Sequence, residues 1–144
     1  MIEDDTIQLL KECNAGVKMG VASIDEVLPH VKNDTLRQRL VDCKTEHENL
    51  GEETKNLLNQ YHDSGKEPNP FASMMSSMKT NTKLLAAPTD ETISDLITDG
   101  CNMGVKSLNR YLNEYEAAEE KAKDITKRLI NLEEKLAIDI RNYL

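Results

Sequence analysis

Three cysteines and one histidine carry the side chains in this sequence that are most able to bind a metal ion or attack an electrophile. They are Cys13, Cys43, His47 and Cys101. These residue types could together form a zinc site with three thiolates and one imidazole. Structural zinc sites usually take their ligands in close pairs along the chain, whereas the three cysteines are scattered singly. We therefore interpret the cysteines as small buried hydrophobic residues.

Cys43 and His47 stand one helical turn apart, a spacing that could pair a thiol nucleophile with its base. Such a pair also needs a third group that orients the base and donors that stabilise an oxyanion. The sequence indicates neither. We therefore interpret His47 as a core histidine bonded to a neighbouring side chain or to water. We predict no catalytic residue and no enzyme activity.

The composition favours an acidic, all-helical protein. The 144 residues carry a net charge of −8, with one Phe, no Trp and only ten Gly and Pro residues together. An acidic surface argues against nucleic acid or an anionic membrane as a partner. No apolar run approaches the roughly 20 residues that span a bilayer, and the start "MIEDDTIQ" lacks the pattern of a secretory signal. We expect a cytoplasmic protein with reduced thiols.

Apolar residues that recur every three or four positions predict four long helices in a single domain. Hairpin one covers residues 4–62. Its first helix is predicted to end at Pro29, because the residue before a proline avoids the helical region. A crossover over 63–88 is predicted to carry a short helix, and hairpin two covers 89–144. The predicted core positions on the four helices are Leu10, Cys13, Val17, Gly20, Ile24, Val27, Leu36, Leu40, Cys43, His47, Leu50, Thr54, Leu57, Tyr61, Ile93, Ile97, Cys101, Val105, Leu108, Leu112, Tyr115, Ala118, Ala122, Ile125, Leu129, Leu132, Leu136 and Tyr143.

Two polar residues are predicted to begin helices. Asp34 and Thr89 each precede an apolar periodic segment, and their side chains could accept hydrogen bonds from the first free backbone N–H groups.

Two similar pairs of segments indicate that the two hairpins are copies of one another. "CNAGVK" at 13–18 resembles "CNMGVK" at 101–106, and residues 39–43 resemble residues 128–132. The offsets of 88 and 89 nearly agree. The repeated glycines, Gly16 and Gly104, are expected to allow close helix approach.

The doubled hairpin, the long crossover and the segment "LLAAPTDETISDLITDGCNMGVKSLNRYL" resemble the ferritin-like superfamily. The greatest similarity is to its small bacterial members of uncharacterised function. The resemblance implies an all-α four-helix bundle in which helices two and three are parallel. It also implies two metal ions midway along the bundle, held by one Glu from each of two helices and a Glu-x-x-His from each of the other two.

The residues at those family positions depart from the metal-binding pattern. Val17 and Val105 occupy the positions of the single glutamates, and no Glu-x-x-His occurs in the chain. The repeat equivalent of His47 is Leu136, which Glu133 precedes by three residues. We therefore predict no di-metal site and no cofactor. If helices one and three are antiparallel as in this family, Cys13 and Cys101 lie on opposite sides of the bundle centre.

We expect a structural or interaction module whose partner is another protein or a second copy, as in a homodimer. The alternative is a metal-binding or redox protein with a rearranged site around His47, Cys13, Cys43 and Cys101. A third possibility is a small-molecule binder that uses the bundle interior and the methionine face of the crossover, which contains Met74, Met75 and Met78.

Overall fold

A computed structural model describes residues 2–63 and 89–144, and these residues are helical apart from short turns. The long helices are α1 (Ile2–Val27), α2 (Asp34–Gln60), α3 (Asp90–Glu114) and α4 (Glu120–Ile140), and one-turn 3₁₀ helices cover Leu28–His30 and Arg141–Tyr143. The prediction of an all-α chain with four long helices is confirmed, and the described residues contain no strand. The predicted short helix and the methionine face of the crossover lie outside the described residues.

Local sequence sets most of the helix ends. Helix α1 ends at Val27, two residues before Pro29, which enters a 3₁₀ turn. Thr89 caps α3 as predicted, because its Oγ1 accepts a hydrogen bond from the N–H of Thr92 at 3.1 Å. The predicted cap at Asp34 is wrong. The preceding residue, Asn33, has an extended backbone and its side chain accepts from the N–H of Leu36, so Asp34 is the first helical residue.

Cross-helix contacts fix the direction of each helix. Lys44 of α2 pairs with Asp25 of α1 at 2.6 Å, and Lys11 pairs with Asp63 at 3.2 Å, so α1 and α2 are antiparallel. Helices α1 and α4 are parallel. The N–H of Glu119 donates to Thr6 near the start of both helices, and Cys13 contacts Thr126 further along both.

Helices α2 and α4 are antiparallel, as Arg128 pairs with Glu53 and His47 meets Glu133. A turn of five residues reverses the chain between α3 and α4. Helices α2 and α3 therefore point the same way, which is the arrangement expected for two hairpins joined by a crossover.

The core lies where α1 packs against the other three helices and α4 packs against α2 and α3. Most of the predicted core positions are buried there. The partly buried ones are Gly20, Leu57, Tyr61, Val105, Leu112, Tyr115 and Tyr143. Because the apolar residues follow helical spacing, each helix turns one stripe into this shared core. None of the described helices is long and apolar enough to cross a membrane.

Each hairpin binds the turn of the other hairpin. The carboxylate of Asp90, at the start of α3, accepts hydrogen bonds from the N–H groups of Lys32 and Asn33 at 2.9 and 3.0 Å. In the first turns of α1, Asp5 accepts from the N–H of Ala117 at 3.0 Å, and Thr6 binds the other turn as described above. These bonds hold the two hairpins in register and so set what meets midway along the bundle.

Candidate functional site

His47 lies at the centre of the bundle, on the core face of α2, and its side chain is 1% exposed. Its Nε2 is 2.8 Å from Oε1 of Glu133 on α4. Its Nδ1 is 2.8 Å from the carbonyl oxygen of Cys43 and 3.4 Å from the Cys43 sulfur. The interpretation of His47 as a core histidine bonded to neighbouring groups is confirmed, and its side-chain partner is a carboxylate.

Both ring nitrogens of His47 therefore face groups that accept hydrogen bonds. Burial by itself disfavours the imidazolium, but hydrogen bonds to Cys43 and Glu133 and the charge of Glu133 outweigh it and raise the pKa of His47 to about 10. At neutral pH the ring is thus protonated beside a carboxylate. This pairing removes the net charge that would otherwise be costly in the bundle interior.

A glycine on α1 leaves the space that this imidazole occupies. A Cβ atom at Gly20 would lie 2.8 Å from both Cδ2 and Nε2 of His47, which is too close for a real contact. At Gly104 on α3 a Cβ atom would meet the Glu133 carboxyl group at an ordinary 3.5 Å. The close approach expected at Gly16 is wrong, since a Cβ atom there would meet only Leu129 at 3.7 Å.

Two of the three cysteines belong to the same cluster. Cys43 contacts the imidazole as described, and Cys101 of α3 hydrogen-bonds to Glu133. Burial and the neighbouring Glu133 carboxylate raise the pKa of the Cys101 thiol. We call Cys43, His47, Cys101 and Glu133 the central cluster.

Cys13 lies away from the central cluster. Its sulfur is 3.1 Å from Oγ1 of Thr126, and burial raises the pKa of this thiol to about 12. Thr126 and Glu133 are seven residues apart on α4, or roughly 10 Å along the helix axis. The four residues named from the sequence as a rearranged site are therefore divided, with Cys13 at a different level from the other three.

The residues at the centre do not fit the di-metal site of the ferritin-like family. Val17 is buried and Val105 is partly buried, and neither valine supplies the carboxylate that the ferritin-like resemblance would require of it. Glu133 is bonded to His47, and hard cations require several oxygen ligands. Within residues 2–63 and 89–144, no group of three or more His, Cys, Asp or Glu side chains is placed to hold a metal ion.

Glu133 is the site residue that sequence reasoning missed. Counted from the first residue of each helix, His47 and Glu133 occupy equivalent positions, about four turns along. The repeat offset of 89 instead aligned His47 with Leu136, one turn further on. A second signal was available, because Glu133 falls on the apolar stripe of α4 beside Leu132 and Leu136. A carboxylate in such a position needs a buried partner.

Glu133 also supplies the third member that the Cys43–His47 pair lacked. The three groups form a hydrogen-bonded series in the order thiol, imidazole and carboxylate, which is the order of groups in cysteine nucleophile sites. No protein-family model matches the chain, and neither a curated protein nor a solved structure was found to be similar to it.

Proposed function

We propose that this chain is a ferritin-like four-helix bundle without the di-metal site, which acts in the cytoplasm as a structural or interaction module. The supporting observation is the His47–Glu133 pair at the bundle centre, in place of the metal ligands that the ferritin-like resemblance would require. The pair is electrically balanced and its ring nitrogens already have partners. The bundle centre is therefore suited to holding two hairpins together.

The partner is another protein or a second copy of this chain. Apolar side chains support a protein partner, since Met103 on α3 is 70% exposed and Ile138 on α4 is 55% exposed. Contiguous exposed apolar groups mark protein contacts, and the double variant described below tests these two side chains together. The acidic surface disfavours nucleic acid and anionic membranes.

Elemental analysis of the purified protein tests the absence of a di-metal site. The protein is produced in medium supplemented with iron, manganese and zinc and is purified without chelators. We expect far less than one metal ion per chain, and the same content in the His47→Leu variant. Stoichiometric iron or manganese that is lost in His47→Leu would contradict the proposal.

Light scattering tests the partner. A homodimer predicts a mass of twice 16.3 kDa, which falls to the monomer mass in a Met103→Lys, Ile138→Lys double variant. A monomer that captures no partner protein from the native cell extract would contradict the interaction role.

The central cluster favours a second candidate, a redox protein. The alternative read from the sequence joined metal binding and redox chemistry, and the series of thiol, imidazole and carboxylate supports the redox part. Loss of free thiol in the folded protein under hydrogen peroxide, restored by a dithiol reductant, tests this candidate. If no thiol is lost before the protein unfolds, the candidate fails.

A further inference from the structure

We propose that Cys43 is a thiol-modification site, oxidised by hydrogen peroxide through activation by His47 and Glu133. This inference rests on the redox candidate above and identifies its reactive residue and its substrate class. The thiol of Cys43 is 3.4 Å from Nδ1 of His47, and Nε2 of the same ring is 2.8 Å from Glu133. The imidazole is therefore placed between the group that must lose a proton and the group that stabilises the protonated ring.

The other two cysteines lack this arrangement. Cys13 contacts a threonine hydroxyl, which carries no positive charge. Cys101 contacts the Glu133 carboxylate, whose negative charge opposes thiolate formation. Only the Cys43 sulfur lies beside the His47 ring, whose N–H can stabilise negative charge that develops on sulfur as it attacks.

The reaction is balanced without any further reactant. The His47 ring is already protonated at neutral pH, so its Nδ1–H faces the Cys43 sulfur and its Nε2–H donates to Glu133. The sulfur attacks one peroxide oxygen, a sulfur–oxygen bond forms and the oxygen–oxygen bond breaks. The departing hydroxide takes the thiol proton, and Nδ1–H stabilises the negative charge that develops on sulfur during the transfer. Cysteine and hydrogen peroxide thus give a sulfenic acid and water, with sulfur oxidised and peroxide oxygen reduced by two electrons.

Burial limits the oxidant to a small and uncharged molecule. Cys43 is 5% exposed, so a bulky disulfide such as oxidised glutathione cannot reach its sulfur without local opening of the helices. The Glu133 side chain is 12% exposed, whereas the backbone of α1 at Gly20 lies directly against the imidazole and covers it. The carboxylate end of the central cluster is therefore the end nearest to solvent.

The three buried cysteines provide an internal control for the experiment. They are 0%, 5% and 3% exposed for Cys13, Cys43 and Cys101, so differences in rate report their partners rather than their exposure. The folded protein is treated with hydrogen peroxide at pH 7, sulfenic acid is trapped with dimedone, and each cysteine is quantified by mass spectrometry. We expect Cys43 to be modified at least tenfold faster than Cys13 or Cys101.

Variants test the role of the imidazole and the carboxylate. His47→Gln should slow Cys43 to the rate of Cys13, and Glu133→Gln should slow it several-fold while the imidazole is still present. Thr126→Val alters α4 at the Cys13 level and should leave the Cys43 rate unchanged. Circular dichroism identifies variants that remain folded, and if His47→Gln does not fold, Glu133→Gln carries the test.

Three results would overturn the inference. Equal rates at all three cysteines would show that modification occurs through unfolding. An unchanged Cys43 rate in His47→Gln and Glu133→Gln would show that the series does not activate the thiol. Faster modification of Cys13 or Cys101 would contradict the assignment to Cys43 but would leave the redox candidate standing.

Discussion

The proton on His47 links the chemistry of one side chain to the stability of the bundle. A group whose pKa is higher in the folded state than in the unfolded chain binds its proton more tightly on folding. For His47 the ordinary value is 6.5 and the folded value is about 10. Its contribution is therefore fully present below pH 6.5 and is lost as the pH rises from there toward 10.

We predict that the free energy of unfolding falls as the pH is raised from 6.5 to 7.5, a range that lies below the ordinary titration of thiols at about pH 8.5. Each pH unit in this window removes at most about 1.4 kcal/mol. Urea denaturation at several pH values measures the change. The variant His47→Leu removes the titrating group, so its stability should be nearly constant over the same range. Equal slopes in the two proteins would contradict the assigned proton.

The glycines of α1 show how an element is shaped by the residue it must accommodate. Gly20 faces the imidazole at a distance that leaves no room for a methyl group, while Gly16, one turn away, has room for one. The repeat drew attention to Gly16 because it lies in the matched segment. Helical spacing places Gly20 on the core stripe of α1 but does not explain a glycine there, because that need comes from His47 on another helix.

We predict opposite effects of alanine at these two positions. Gly20→Ala should destabilise the protein by about 1–3 kcal/mol, since overpacking at the locked imidazole outweighs the gain in helix propensity. Gly16→Ala should stabilise it by about 0.5–1 kcal/mol, because only the propensity gain applies. Thermal and urea denaturation of the two variants measure both signs. Stabilisation in both variants would show that the bundle opens easily around His47.

Helix periodicity predicted the elements well, because burial of one stripe per helix leaves its mark on the sequence. The core positions from Leu10 to Leu136 followed from this pattern. The pairing of His47 with Glu133 did not, since it depends on the register between α2 and α4, which local spacing leaves open. The repeat offset gave Leu136 as the equivalent of His47, and this equivalence does not say which residue of α4 faces the imidazole.

At the scale of the whole molecule, the register between hairpins is set at their turns. Asp90 binds two backbone N–H groups of the α1–α2 turn, and Asp5 and Thr6 bind the α3–α4 turn. These contacts are reciprocal, as each hairpin holds the turn of the other. They join segments that are more than fifty residues apart in the chain, so they oppose both sliding and separation of the hairpins.

We predict that Asp90→Ala destabilises the bundle by about 1–3 kcal/mol, because two N–H groups lose an ionised acceptor. Glu91→Ala is the matched control, since the neighbouring carboxylate is also in the first turn of α3 and is exposed. Glu91→Ala should cost only the helix-end contribution of about 0.3–1 kcal/mol. Urea denaturation gives both values.

Amide hydrogen exchange locates the effect of Asp90→Ala. The N–H groups of Lys32 and Asn33 should exchange faster in this variant than in Glu91→Ala, while the N–H of Ala117 in the opposite turn changes only with global stability. Unchanged protection at Lys32 and Asn33 would show that the turn holds its own shape. In that case packing of the four core stripes alone would set the register that brings His47 to Glu133.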